Sequence, residues 1–290
     1  MLYDAYEMQR SLLAGASTLA NIGAGWMQNP ANPFAYHSMG PIVASALDVF
    51  AHVSAPRGKP EFGIESILID GEEVAVHEEI VLRKPFGQLK RFRREGVEDS
   101  PRLLIVAPMS GHYATLLRGT VERMLPRHDV YITDWRDAKL VPLDEGSFDL
   151  DDYIDYLVAF LEHIGPGAHM LAVCQPSVPA YAAAAIMAAD KHPARPKTLT
   201  LMGGPIDTRE APTAVNTLAT QRPHAWFQRN VIATVPYSYP GAGRHVYPGF
   251  LQLAGFMTMN LGNHLTSHWE MFKHLVEGDD ESAEATNGVY

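Results

Sequence analysis

The chain has 290 residues, 47% hydrophobic and 19% charged, with a formal net charge of −10. That is the make-up of a globular protein with enough apolar material for a core, and its acidic balance gives no footing for nucleic acid, which needs clustered positive charge. One cysteine, Cys174, excludes an internal disulfide framework and a Cys-rich zinc site, and it suits a reducing compartment.

Residues 1 to about 28 have helical periodicity, with Leu2, Tyr6, Met8, Leu12, Leu13, Leu19 and Ile22 on or near one face. Asn29-Pro30-Ala31-Asn32-Pro33 breaks that pattern. A second helical stretch runs from Pro41 to Val53, and Pro56-Arg57-Gly58-Lys59-Pro60 ends it. This opening reads as a packing arm, a surface-seeking helix or a plain helical prefix. It is not rich in Lys or Arg, so it is not suited to anionic lipid. The first residues lack the positive region of a signal peptide, and no apolar run reaches the ~20 residues of a membrane span.

Strand signals follow. Phe62 to Ile69 is one, Asp70-Gly71 is a hairpin turn, and Val74 to Leu82 is a half-exposed strand. The basic cluster Lys90, Arg91, Arg93 and Arg94 reads as a solvated face of a strand or loop. Arg102 to Ala107 carries a continuous apolar run, as a strand buried on both faces does. The loop Pro108-Met109-Ser110-Gly111-His112-Tyr113 leads to a helix, and His128 to Thr133 is another buried strand ending in Asp134-Trp135. Phe148 to Ile164 is an amphipathic helix with Asp149, Asp151 and Asp152 at its start, where carboxylates suit the helix dipole.

Next comes His169-Met170-Leu171-Ala172-Val173-Cys174-Gln175-Pro176-Ser177, an apolar strand leading into Cys174 and an Ala-rich helix leading out. Thr198 to Met202 adds a further strand. Strand and helix alternate from about 102 to 202, the pattern of a mostly parallel sheet with helices on both faces. After Gly203-Gly204-Pro205 the alternation fails, and 206–278 reads as a helical cap over the carboxyl edge of the sheet. The expected division is a helical segment over 1–60, an α/β-hydrolase-like core over 61–205, the cap over 206–278 and an acidic tail over 279–290.

A nucleophile elbow is a strand, a sharp turn carrying the reactive residue, and a helix, with small residues two before and two after. Here the five residues are Ala172-Val173-Cys174-Gln175-Pro176. Cys174 is either that nucleophile or a small buried hydrophobe, the commonest fate of a lone cysteine. An oxyanion hole in this architecture takes one N–H from the residue after the nucleophile and one from an earlier loop. Gln175 supplies the first, and Met109 or Ser110 the second. Alternatively that loop is a plain helix start with Ser110 as N-cap. Asp207 is a candidate triad acid or a turn residue, and Asp134 ends a strand but precedes the cysteine. His192, His224, His245, His264, His268 and His274 follow it, none after a strand-like run. His264 and His268 have the i, i+4 spacing of a metal pair but lack a third ligand, so no metal is expected.

Four stretches resemble the intracellular poly(3-hydroxybutyrate) depolymerases: Met1-Leu2-Tyr3-Asp4-Ala5-Tyr6-Glu7, Ala107 to Tyr113, Thr133-Asp134-Trp135-Arg136-Asp137-Ala138 and Val173-Cys174-Gln175-Pro176. The resemblance runs from residue 1 to about 286. It implies an α/β-hydrolase fold and a cytoplasmic enzyme that cleaves stored polyester, polymer or oligomer, at granule surfaces, with Cys174 as nucleophile and no cofactor. The family's Asp and His lie after the last strands of the sheet, and no residue here matches them. The chain is therefore expected to be truncated, with the triad acid and base beyond residue 290, the last strands missing and turnover impaired. The apolar cap, with Trp226, Phe227, Tyr237, Tyr239, Tyr247, Phe250, Phe256 and Trp269, would bind the polyester or serve as core. Two other readings are a synthase-like acyltransferase, which also uses cysteine, and a non-catalytic granule-associated scaffold.

Overall fold

The structure is a computed structural model that describes residues 2–33, 39–55 and 58–259. It divides into two compact units, one of the residues up to Gly58 together with those from Ala254, and one of Lys59–Leu253. The first holds helices α1 (Leu2–Gln28) and α2 (Gly40–Ser54). They pack through small residues: Ser17, Ala20 and Ala24 of α1 are buried, as are Ala44, Ser45 and Ala51 of α2, and Ser17 Oγ donates to the Ala51 carbonyl at 2.8 Å.

The second unit is built on seven strands: β1 (Ser66–Ile69), β2 (Glu72–Lys84), β3 (Gly87–Arg94), β4 (Arg102–Val106), β5 (Asp129–Trp135), β6 (His169–Val173) and β7 (Thr198–Met202). Their order across the sheet is β1-β2-β3-β5-β4-β6-β7. The first three pairings are antiparallel, and the β5-β4-β6-β7 half that carries the site is parallel. Asp70 and Gly71 both have positive φ, 51° and 90°, as the tight β1–β2 hairpin requires.

The basic cluster is not a solvated face. It is β3, an interior strand between β2 and β5, with Leu89, Lys90, Phe92 and Arg94 all buried. Its charges are compensated strand by strand. Lys90 pairs with Glu78, Arg93 Nε with Glu79 at 2.6 Å and Arg91 Nε with Asp129 at 3.0 Å, while Arg94 donates to the Leu125 carbonyl. Charge is tolerated in a sheet interior when it is paired, though Arg94 Nε is buried with no partner among the described residues.

Helices cover both faces. Helix α3 (Arg118–Met124), with the 3₁₀ turn Ala114–Leu117 before it, packs Leu117, Val121 and Leu125 against Phe92, Leu103, Ile105, Val130 and Ile132. On the other face α4 (Leu150–Ile164) and α5 (Ser177–Ala189) bury Leu157, Phe160, Leu161, Ala180 and Ala183 against Leu104, Met170 and Ala172. Asp149 caps α4 by accepting from the Asp151 and Asp152 amides, and Asp152 returns the bond to the Asp149 N–H. Order, crossovers and the β6–α5 turn make this an α/β-hydrolase-like fold.

Beyond β7 lie α6 (Ala214–Gln221), α7 (His224–Asn230), a two-stranded hairpin of β8 (Ala233–Thr234) and β9 (His245–Val246), and α8 (Gly249–Met259). The hairpin corrects the expectation of purely helical or irregular structure there. One buried arginine ties this segment to the sheet's carboxyl edge. Arg244 donates to the carbonyls of Gly146 at 2.6 Å, Pro142 at 2.7 Å and Val141 at 3.1 Å, with its guanidinium over the Phe86 ring. Arg244→Ala would strand three carbonyls, a loss of about 2–5 kcal/mol. Thermal unfolding should show it, and Arg244→Lys should not restore stability, because an ammonium lacks the planar fork. Wild-type melting of Arg244→Lys would count against this anchoring role.

Candidate active site

Cys174 stands at the tip of the β6–α5 turn with φ 68°, the left-handed region that non-glycine residues rarely adopt. Such a conformation costs about 1–3 kcal/mol and survives only where its surroundings enforce it. Here they do. The Cys174 N–H donates to the Met202 carbonyl of β7 at 2.7 Å, and its carbonyl accepts from the Ser177 N–H at 3.0 Å. Pro176, with φ −66°, sits just before α5, where no N–H is needed. Cys174 is exposed, so the alternative of a buried thiol is overturned.

The backbone after β7 presses on this turn. A Cβ on Gly204 would lie 2.0 Å from Ser177 Oγ, 2.1 Å from Ser177 Cβ and 2.9 Å from the Cys174 carbonyl oxygen. Only glycine fits. Ser177 is fully buried, and its hydroxyl has no hydrogen-bond partner among the described residues.

The loop after β4 is anchored at its root. Ala107 donates its N–H to Thr133 Oγ1 at 2.9 Å, and its carbonyl accepts from Trp135 Nε1 at 2.8 Å and from the Tyr153 hydroxyl at 3.3 Å. Burial raises the Tyr153 pKa far above the usual phenol range, so it stays a donor. Trp135 meets Tyr153 edge to face at 4.4 Å. Gly111 has φ 82°, and a Cβ there would lie 2.5 Å from the Gly249 carbonyl.

This loop faces the elbow. The Met109 N–H donates to Gln175 Oε1 at 2.9 Å. Among the described residues no acceptor takes the Gln175 or the Ser110 N–H. Ser110 is not an N-cap, which corrects that alternative. The 3₁₀ turn starts after Tyr113 without a side-chain cap, and Ser110 Oγ lies 3.5 Å from His112 Nδ1. The bond from Met109 to the Gln175 side chain had no signal in the sequence.

His112 is half-buried, and burial lowers its pKa, opposed by a hydrogen bond with the Ser110 backbone. The folded state therefore binds this proton less readily than the unfolded chain. Its contribution to stability is full above about pH 6.5 and is lost as pH falls through the lowered value. Replacing His112 with Gln should flatten the fall in melting temperature between about pH 7 and pH 5. An unchanged slope would remove His112 as its source.

Three further candidates, Asp134, Asp207 and His192, are engaged elsewhere. Asp134 is buried between strands, bound by Lys59 and by Gln88 Nε2 at 2.7 Å, with Lys90 at 3.7 Å. Asp207 is exposed and bonded to Arg209, which lowers its carboxyl pKa, so it is a turn residue. His192 Nε2 lies 3.1 Å from Glu162. His264, His268 and His274 lie outside the described residues, as does Trp269. Among the described residues no group of three or more His, Cys, Asp or Glu is placed to hold a metal, and no helix is long and apolar enough to cross a membrane. In the segment after β7, Trp226 and Phe227 stack edge to face at 5.1 Å, Tyr239 lies under Lys139, and Tyr237 is fully exposed. A polar groove lined by Arg91, Arg102, Asp129, His169 and Lys197 lies at the amino ends of β4 to β7, the edge away from Cys174.

Comparison with known proteins adds the following. Residues 203–290 match the family model described as PHB de-polymerase C-terminus. No curated protein matches the sequence. Among solved structures the chain is similar to a membrane phospholipase A, a bacterial virulence factor, at 19% identity and a TM-score of 0.32, over 45% of this chain and 40% of that one. It is similar to a putative lipase from Acinetobacter baumannii AYE at 14% identity and a TM-score of 0.36, over 74% and 63%. An α/β hydrolase from Novosphingobium aromaticivorans DSM 12444 follows at 17% identity and a TM-score of 0.27, over 43% of each chain. This chain thus spans less than two thirds of the length of each of these structures. Residues 203–290 are thus similar to the C-terminal part of PHB depolymerases.

Proposed function

We propose that this chain cleaves ester bonds of a hydroxyalkanoate polyester, with Cys174 as nucleophile. The observation that carries the reading is the strained, exposed Cys174 at the tip of a strand–turn–helix. A lone structural cysteine has no need of a left-handed backbone or of solvent. The family match over 203–290 supports a polyester as the substrate.

The chemistry would run as follows. A base takes the Cys174 proton, and the thiolate attacks the ester carbonyl carbon. The oxyanion is held by the Gln175 N–H and by the N–H of Met109 or Ser110. Collapse breaks the carbon–oxygen bond, the hydroxyl-ended fragment leaves with a proton, and a thioester remains. Water then attacks the thioester carbonyl, freeing a carboxylic acid and restoring the thiol. In the resting arrangement Gln175 Oε1 occupies the Met109 N–H, so an oxyanion would replace one oxygen by another there. Among the described residues no group is hydrogen-bonded to the Cys174 sulfur, and the base is to be sought outside them. The cap aromatics would take the methyl-bearing chain, and the site of action would be stored polymer in the cytoplasm.

Incubation with 3-hydroxybutyrate oligomers tests this. Release of shorter acids, lost in Cys174→Ala, supports it. Polymer growth from 3-hydroxybutyryl-CoA would replace it with an acyltransferase. Particle binding without any ester cleavage, unchanged in Cys174→Ala, would replace it with a scaffold.

A further inference from the structure

Helix α1 is amphipathic the wrong way round. Its buried positions are Tyr3 in the first turn and, beyond it, Ser17, Ala20 and Ala24, all three small. Its large apolar residues point outward: Met8 is 65% exposed, Leu12 69%, Leu19 71%, Ile22 65% and Trp26 56%. With the exposed Gly15 these positions recur at intervals of four and three residues, a continuous stripe along the helix. At 100° per residue the stripe lies on the side of α1 opposite Ser17, Ala20 and Ala24. A helix of 27 residues is about 40 Å long, so the stripe is too extended for a chance cluster of surface leucines.

Charge says what kind of surface this stripe fits. Asp4, Glu7 and Arg10 are the only charged residues of α1, and residues 11 to 47 contain no Asp, Glu, Lys or Arg at all. The exposed residues of α1 between the large ones are Gln9, Arg10, Ser11, Leu13, Thr18, Asn21 and Gly25, so Arg10, paired with Glu7 at 3.0 Å, is the one charge among them. A helix that docks on anionic lipid carries several Lys and Arg beside its apolar face, and beyond Arg10, which is paired with Glu7, this one has none. A coiled-coil seam is flanked by charges that select the partner, and these too are missing. A surface without charge, rich in methyl groups, is the complement.

We propose that the outward stripe of α1 docks the chain on the uncharged surface of a solid polyester. The inference rests on the reading of the chain as a polyester hydrolase. Docking holds the enzyme at an interface it cannot dissolve, while Cys174 lies in the other compact unit.

The test is co-sedimentation of the full 290-residue chain with amorphous poly(3-hydroxybutyrate) particles. Neutral phosphatidylcholine vesicles serve as the lipid comparison, and size-exclusion chromatography reads self-association. In the variant L12Q/L19Q/I22Q, half-binding should need at least tenfold more particles. L12M/L19M/I22M, which keeps the apolar face, should stay within twofold of wild type, and both should keep the wild-type helix content. Cleavage of soluble 3-hydroxybutyrate oligomers should be the same in all three. Wild-type particle binding by the Gln variant would overturn the proposal. So would binding to vesicles but not polyester, or a dimer that the Gln variant dissolves with particle binding unaltered. Stripe-dependent binding together with intact oligomers would sink the hydrolase reading and leave the docking surface standing.

Discussion

Gly204→Ala should lower the melting temperature by on the order of 5–10 °C and slow every reaction of Cys174. The added Cβ would sit 2.0–2.1 Å from the Ser177 side chain and 2.9 Å from the Cys174 carbonyl oxygen, distances at which something must move. Overpacking of this kind costs about 1–3 kcal/mol, and each kcal/mol shifts the melting point of a domain this size by roughly 2–4 °C. What moves is the elbow itself, since Ser177 is fully buried and cannot swing out. Relief should come from Ser177→Gly, which removes the nearest two atoms. The pair Ser177→Gly with Gly204→Ala should therefore recover most of the loss, as coupled neighbours do. Ser177→Ala alone should be neutral or stabilising, because it removes a buried hydroxyl without a partner among the described residues. Equal melting curves for wild type and Gly204→Ala would contradict the tight seat of the turn.

The second large effect concerns Cys174. Cys174→Ala should reduce ester cleavage by roughly 10³-fold or more, as loss of a nucleophile does. Cys174→Gly separates that loss from folding. At φ 68° glycine has no steric penalty, whereas a residue with a Cβ pays about 1–2 kcal/mol. The glycine variant should thus melt at or above wild type while being equally inactive. Stability that falls with activity in Cys174→Gly would mean the thiol holds the turn together rather than serving chemistry.

Much of this was legible in the chain. The apolar run Met170 to Val173 and the small residues after Cys174 announce strand, turn and helix, because a buried parallel strand needs apolar side chains on both faces. The loop Met109–His112 was legible from its place after the Leu103–Ala107 run. Strand β3 was not. Four Lys and Arg residues look solvated until Glu78, Glu79 and Asp129 are brought alongside by pairing with β2 and β5, and sequence proximity says nothing of that pairing. Nor was Gly204 legible as a contact of Ser177, since 27 residues separate what the β6–β7 pairing joins. The inverted α1 hid behind ordinary helical periodicity, which counts apolar residues but does not say which face a neighbour covers.

A covalent acyl bond to the Cys174 sulfur is measured most directly by mass spectrometry. The chain would be mixed with an activated 3-hydroxybutyrate ester, quenched in acid and digested. A hydroxybutyryl mass increment is expected on the peptide holding Cys174, labile to hydroxylamine as a thioester is, and absent from Cys174→Gly. Ester cleavage that persists in Cys174→Gly, or an acyl group carried by any other residue, would contradict Cys174 as the nucleophile.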